Sequence, residues 1–204
     1  MSVIAIMLRR ILIVILLAVV AAAIFVFTST AVRALLFSPD TEIEVASSTV
    51  RAGSIQEYPV RIRIPALAID AKVQHVGVNA KGNMAVPSNF TDTAWYEDGP
   101  APGESGSAVI AGHVNNGLGL SGVFENLNDL EVGDDIYVER ADGEVVHFIV
   151  MSSRVYPYTD APEEVIFNPA GSARLNLITC EGRWVAEDKT YDERLVVFTR
   201  LADR

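Results

Sequence analysis

The chain predicts an all-β domain, a closed barrel or a sandwich with one short helix, behind an apolar N-terminal segment. Three observations carry that expectation. Short runs rich in Val, Ile, Tyr and Phe recur along the chain between turn-forming residues. Several of them alternate apolar with polar positions, the period of a half-buried strand. Residues 11–27, ILIVILLAVVAAAIFVF, are 17 uncharged positions in a row.

The apolar run comes first. About 20 such residues span a bilayer core as a helix, so a transmembrane helix is expected over about 11–31. Arg9 and Arg10 precede it and only Arg33 follows closely, which by the positive-inside bias puts the N-terminus in the cytoplasm. A cleaved signal peptide is the competing reading, with Ser29-Thr30-Ala31 as a weak cleavage site. Its apolar region is ordinarily shorter, which favours an uncleaved anchor. Both readings export the remainder.

Residues 1–37 are therefore expected to be the anchor. Residues 38–57, SPDTEIEVASSTVRAGSIQE, lack a sustained period and read as an extracytoplasmic linker. A single domain is expected over 58–204, long enough for one core.

Within it, YPVRIRIP alternates Val60, Ile62 and Ile64 with Arg61 and Arg63, one dry face against one wet. AKVQHVGV follows the turn-like IDA, and GSAVIAGHV is a continuous apolar run ending near His113. DDIYVER and EVVHFIVMSSRVY flank Ala141-Asp142-Gly143 as a hairpin. ARLNLITC and RLVVFTRL read as the last two strands. The short helix is expected at SGVFENLNDL, with Ser121 as its cap.

Charge narrows the function. From Ser38 onward 13 basic residues face 26 acidic ones, a balance that nucleic acid and anionic polymers would repel. Cys180 is the sole cysteine, so a disulfide scaffold is excluded. It is either a small buried hydrophobe or, in an exported domain where a thiol is exposed to oxidation, a residue kept for use.

If Cys180 ends one strand and Arg194 begins the next, antiparallel pairing makes them neighbours across a 13-residue loop. His113 ends another strand, so the three would gather at one barrel rim. The residue types suit acyl transfer. A thiolate is a strong nucleophile that a nearby imidazolium stabilises. Histidine moves protons to and from amines. Arginine holds an oxyanion or substrate carbonyls.

LITCEGRW resembles the TLxTC signature of sortases, the membrane-anchored cysteine transpeptidases of Gram-positive-type envelopes. VRIRIPALAIDAKVQHVGV is similar to that fold's opening strands, GESGSAVIAGHVN to its histidine strand, and VFENLNDLEVGDDIYV to the segment after that strand. RLVVFTRL resembles the closing strand. The tail LITCEGRW…YDERLVVFTRL is most similar to class F, with classes D and E less so.

The resemblance implies an all-β, closed eight-stranded barrel with one or two short helices. It implies Cys180 as nucleophile, His113 as general acid/base and Arg194 as oxyanion or substrate stabiliser. It further implies cleavage of an LPxTG-like sorting signal between Thr and Gly through a thioacyl-enzyme. The acceptor would be an amine of a peptidoglycan precursor or a pilin lysine.

Two positions depart from the pattern. Leu177 stands where the motif usually opens with Thr, and Glu181 puts a carboxylate beside the thiol, where it would raise the thiol pKa unless it faces solvent. Glu181 is expected to face solvent.

Nearby residues have blander readings. Arg183 is an alternative groove arginine, whereas Arg200 lies six residues along the last strand and reads as a surface charge. His75 and His147 read as half-exposed strand residues. Thr179 either braces the nucleophile by a hydrogen bond or serves β-propensity alone.

PYTDAPEEVIFNPAG at 157–171 corresponds to the sortase groove wall. Its Asp160, Glu163 and Glu164 offer oxygen ligands that would suit Ca²⁺, although a solvated loop is the simpler reading. No cofactor is expected otherwise, and no spacing suggests zinc.

Two rival functions remain. In a non-catalytic membrane-tethered β module, Cys180 would only pack. An L,D-transpeptidase would carry Ser-His-Gly-Cys, whereas Ile178-Thr179 precede the cysteine here.

Overall fold

Inward-pointing Ile62 and Ile64 decide how the first strand sits. Both are fully buried while Arg61 and Arg63 are exposed, so the expected two-faced strand forms. Val60 breaks the pattern and is exposed. Its register against a neighbouring strand slips between Pro59 and Arg61, and a one-residue slip turns a side chain to the other face.

The computed structural model of the protein describes residues 12–25, 57–115 and 119–203. The chain divides into two units, Met1–Phe37 and Ser38–Arg204. In the first, a helix α1 covers 12–25. No helix among the described residues is long and apolar enough to cross a membrane. Residues 11 and 26–31 of the expected span lie outside the described residues, as does the expected linker except Glu57.

The second unit is all-β. Its strands are β1 (Pro59–Ile64), β2 (Ile69–Val76), β3 (Thr93–Tyr96), β4 (Ser107–Gly112), β5 (Asp135–Arg140), β6 (Val145–Pro157), β7 (Arg174–Val185) and β8 (Thr190–Leu201). They close into a barrel in the order β1-β2-β3-β4-β7-β8-β6-β5. Closure leaves no sheet edge to template aggregation. Pairs β2–β3 and β4–β7 are parallel and the rest antiparallel. The expected hairpin about Ala141–Gly143 is β5–β6.

Several expectations are corrected. The IDA tripeptide lies inside β2, because the turn falls one step earlier, in a 3₁₀ helix at Pro65–Leu67 ending on a left-handed Ala68. TAWY, too short to show a period, is the eighth strand, β3. The helix expected over 121–130 reduces to turns and a 3₁₀ helix at Leu127–Asp129, and Ser121 caps nothing. Ser121 instead bridges to Asn115. A true α-helix, α2 (Glu163–Ile166), lies between β6 and β7.

Two apolar layers matter for the site. Inside the barrel, Trp95, Phe124, Phe148, Leu175 and Leu177 are fully buried. Outside it, Val109 of β4 and Val196 of β8 are covered by Ile166 of α2. Strand alternation thus splits β7, with Leu175 and Leu177 in the inner layer and Ile178 against the outer one.

Candidate active site

Cys180 follows Ile178 by one strand period, so it stands on the outer face of β7, half-buried. Arg194 lies directly opposite it on β8, and Tyr156 lies opposite Arg194 on β6. A row of thiol, guanidinium and phenol therefore crosses three strands. β4 runs parallel to β7 and pairs Ala111 with Ile178. That ladder ends at Ala111, and His113 follows directly after β4, whose last residue is Gly112.

Cys180 and Arg194 are thus paired, though not at the ends of their strands, whereas His113 stands at the end of β4 as expected. β7 runs on to Val185 and β8 starts at Thr190, so the expected 13-residue loop is a hairpin with a short turn. A register shift between Glu181 and Trp184 accommodates it. Gly182 sits in that bulge with φ of +84°, a backbone conformation that glycine adopts without a Cβ penalty. Trp184 and Tyr191 pair edge-to-face across the ladder at 5.5 Å.

His113 is nearly enclosed, 4% exposed. Its Nε2 lies 3.0 Å from the Pro87 carbonyl oxygen. A carbonyl only accepts, so Nε2 carries the proton and Nδ1 is left as the basic nitrogen. The backbone after His113 is tied to a returning limb, with Phe124 N–H donating to His113 O at 3.0 Å and Gly122 N–H to Val114 O at 2.9 Å. This fastening is the role of the segment read from sequence as a helix start.

Arg194 folds back along its own strand. Nη1 donates to Tyr191 O at 2.9 Å and Glu193 O at 2.8 Å, and Nη2 donates to Thr190 Oγ1 at 2.7 Å. The Tyr158 ring lies 5.5 Å from the guanidinium carbon. Tyr158 OH donates to Asp188 Oδ2 at 2.9 Å. That bond holds the phenol pKa above its ordinary value, with desolvation adding to it.

The floor beside this row is apolar. Val109, Ile178, Val196 and Phe198 belong to the outer layer, bordered by Tyr96 and Phe167. Asn176, buried on the same face, donates from Nδ2 to Ile166 O at 2.7 Å and so ties α2 to β7. The row of thiol and guanidinium thus stands beside an apolar layer that α2 covers.

The Sortase domain family model matches residues 62–202. The chain belongs to the sortase family. Sortases are cysteine transpeptidases. No curated protein matches this sortase. Among solved structures it is similar to sortase A from Corynebacterium diphtheriae, at 22% identity and TM-score 0.56, over 72% of this chain and 61% of that one. It thus spans less than two thirds of that protein. Sortase A of Listeria monocytogenes matches at 21% identity and TM-score 0.53, over 71% and 88% of the two chains. Sortase C-1 from Actinomyces oris matches at 24% and 0.54, over 72% and 75%. At these identities the likeness is one of fold, and it extends over both A and C types.

The remaining sequence readings resolve against this sortase's geometry. The Arg183 side chain is 91% exposed and ion-paired to Asp192 at 3.4 Å. Arg200 is at the surface, near Asp203. His75 touches Pro59 O at 2.8 Å and the edges of Tyr58 and Trp95. His147 stacks on Tyr137 and reaches Asp135 at 2.7 Å.

Of the two readings of Thr179, the one from β-propensity alone fits the structure. The residue is buried on the face opposite Cys180, and its Oγ1 makes no hydrogen bond among the described residues, so it does not brace the thiol. Glu181 is half-buried opposite Glu193 rather than facing solvent, yet alternation turns it away from the thiol's face. Among the described residues no group of three or more His, Cys, Asp or Glu is gathered to hold a metal, Asp160, Glu163 and Glu164 included.

Sequence reasoning missed Tyr156, Tyr158, Thr190 and Gly122. The first two stood in plain sight as aromatics two apart, VYPY, at the end of β6.

Proposed function

We propose that this sortase cleaves an LPxTG-like sorting signal between Thr and Gly and joins the new carboxyl end to an amine. The observation that carries the reading is the cross-strand placement of Cys180 against Arg194, with His113 directly after β4, the strand beside β7. The Cys180 thiolate attacks the Thr carbonyl carbon, and Arg194 stabilises the tetrahedral oxyanion. Protonated His113 gives its proton to the leaving glycine nitrogen as the C–N bond breaks, which leaves a thioester on Cys180. Neutral His113 then takes a proton from the incoming amine, which attacks the thioester and expels the thiolate. These groups supply the nucleophile, the proton carrier and the charge, and the reaction as proposed needs no cofactor.

The acceptor is proposed to be an amine of a peptidoglycan precursor or a pilin lysine. Residues 1–37 would anchor the chain, 38–57 would space it from the membrane, and 58–204 would act outside the cell. The uncharged run at 11–27 and the arginines before it support that placement. The class F-like reading rests on the tail LITCEGRW…YDERLVVFTRL.

The test uses the full-length chain in detergent, wild type and Cys180→Ala, with an LPxTG-type peptide and excess glycine-based amine. Mass spectrometry should show a Thr–amine adduct from wild type alone. Absence of both cleavage and adduct, with a thiol that resists alkylation, would leave a binding module instead.

A further inference from the structure

Tyr158 and Asp188 belong to neither the barrel core nor the reacting trio, yet both bear on Arg194. Tyr158 lies just past β6, and its backbone N–H donates to Asp192 O at 3.0 Å. Its hydroxyl is held by Asp188 in the β7–β8 turn at 2.9 Å. The ring is thus fixed at both ends, and it faces the guanidinium at 5.5 Å.

The three hydrogen bonds from Arg194 all run to Thr190, Tyr191 and Glu193 on its own strand. They set the direction of the fork along β8. A planar cation also needs a face to rest on if its remaining donors are to point consistently, and an aromatic ring supplies one. The connection that carries α2 and the β7–β8 turn meet through Tyr158 and Asp188, so both segments bear on that plane.

We infer that Tyr158, latched by Asp188, is a positioning residue for Arg194, setting the plane of the guanidinium and so its hold on the oxyanion. The inference rests on the role given to Arg194 under the proposed function. Tyr158 itself touches no reacting atom.

The test is single-turnover acylation of the full-length chain by an LPxTG-type peptide, read as intact mass. Tyr158→Leu should slow acylation by about two- to fivefold, the factor a partly exposed cation–π contact corresponds to, with KM and thermal midpoint nearly unchanged. Tyr158→Phe, which keeps the ring, should retain most of the rate. In an Arg194→Ala background Tyr158→Leu should have no further effect, because there is no guanidinium left to orient.

Wild-type acylation by Tyr158→Leu would overturn the inference. So would a loss that persists undiminished without Arg194, since the ring would then act on the substrate or the groove. A wild-type chain that forms no acyl-enzyme overturns the transpeptidase reading, and this inference falls with it. The other two outcomes overturn this inference alone.

Discussion

Gly122 offers a sharp test of how His113 is held. A Cβ built on Gly122 would lie 2.6 Å from the His113 carbonyl carbon and 2.8 Å from that of Val114. These are backbone atoms that no rotamer change can move aside. Ordinary carbon–carbon contact begins near 3.5 Å, so Gly122→Ala must push the two segments apart by about 0.9 Å. Overpacking of this kind costs about 1–3 kcal/mol. A misplacement of about 1 Å in a reacting group lowers rate on the order of 10²-fold. The expected result is therefore a modest loss in urea-unfolding stability and a far larger loss in acylation rate, with Cys180 still alkylated normally. Wild-type acylation by Gly122→Ala would refute the reasoning, whatever the stability. A stability loss without a rate loss would show that the returning limb supports the fold and not the histidine.

Gly182→Ala should destabilise by about 1–2 kcal/mol, because a left-handed backbone is strained for alanine and its Cβ would meet the Asp192 carboxylate; chemical denaturation checks this, and no change would remove the bulge from the account. Phe124→Ala empties a fully buried position beneath Gly112 and should cost about 3–5 kcal/mol, measured by urea unfolding. Tyr158 should titrate above an ordinary tyrosine in a wild-type minus Tyr158→Phe ultraviolet difference titration, and Asp188→Asn should bring it down. Since the folded state favours the neutral phenol, its contribution to stability holds below the ordinary tyrosine pKa and fades as pH rises through the raised one.

Much of the architecture was legible because period-two burial writes itself into β1, β5 and β6 as alternating residues. The pairing of Cys180 with Arg194 was legible too, since two late strands joined in sequence are expected to pair. The placement of His113 at the end of β4 depended on a parallel neighbour, β4 beside β7, separated in sequence by two other strands. No local pattern encodes that register. β3 was invisible because four residues are too few to show a period. The 121–130 segment misled because apolar residues at near-helical spacing also suit a folded turn that drops Phe124 and Leu127 into the barrel. The orientations of Thr179 and Glu181 were not legible, because each depends on which face of β7 the thiol occupies, and only the layer built by Ile166 and Val196 reveals that face.

The most direct test of the central claim is to trap the acyl-enzyme. Full-length protein is mixed with an LPxTG-type peptide without added amine, quenched in acid, and its intact mass read. The account expects a mass gain equal to the peptide through its Thr, located to Cys180 by digestion and absent in Cys180→Ala. Peptide cleavage that persists in Cys180→Ala, or an adduct on another residue, would contradict it.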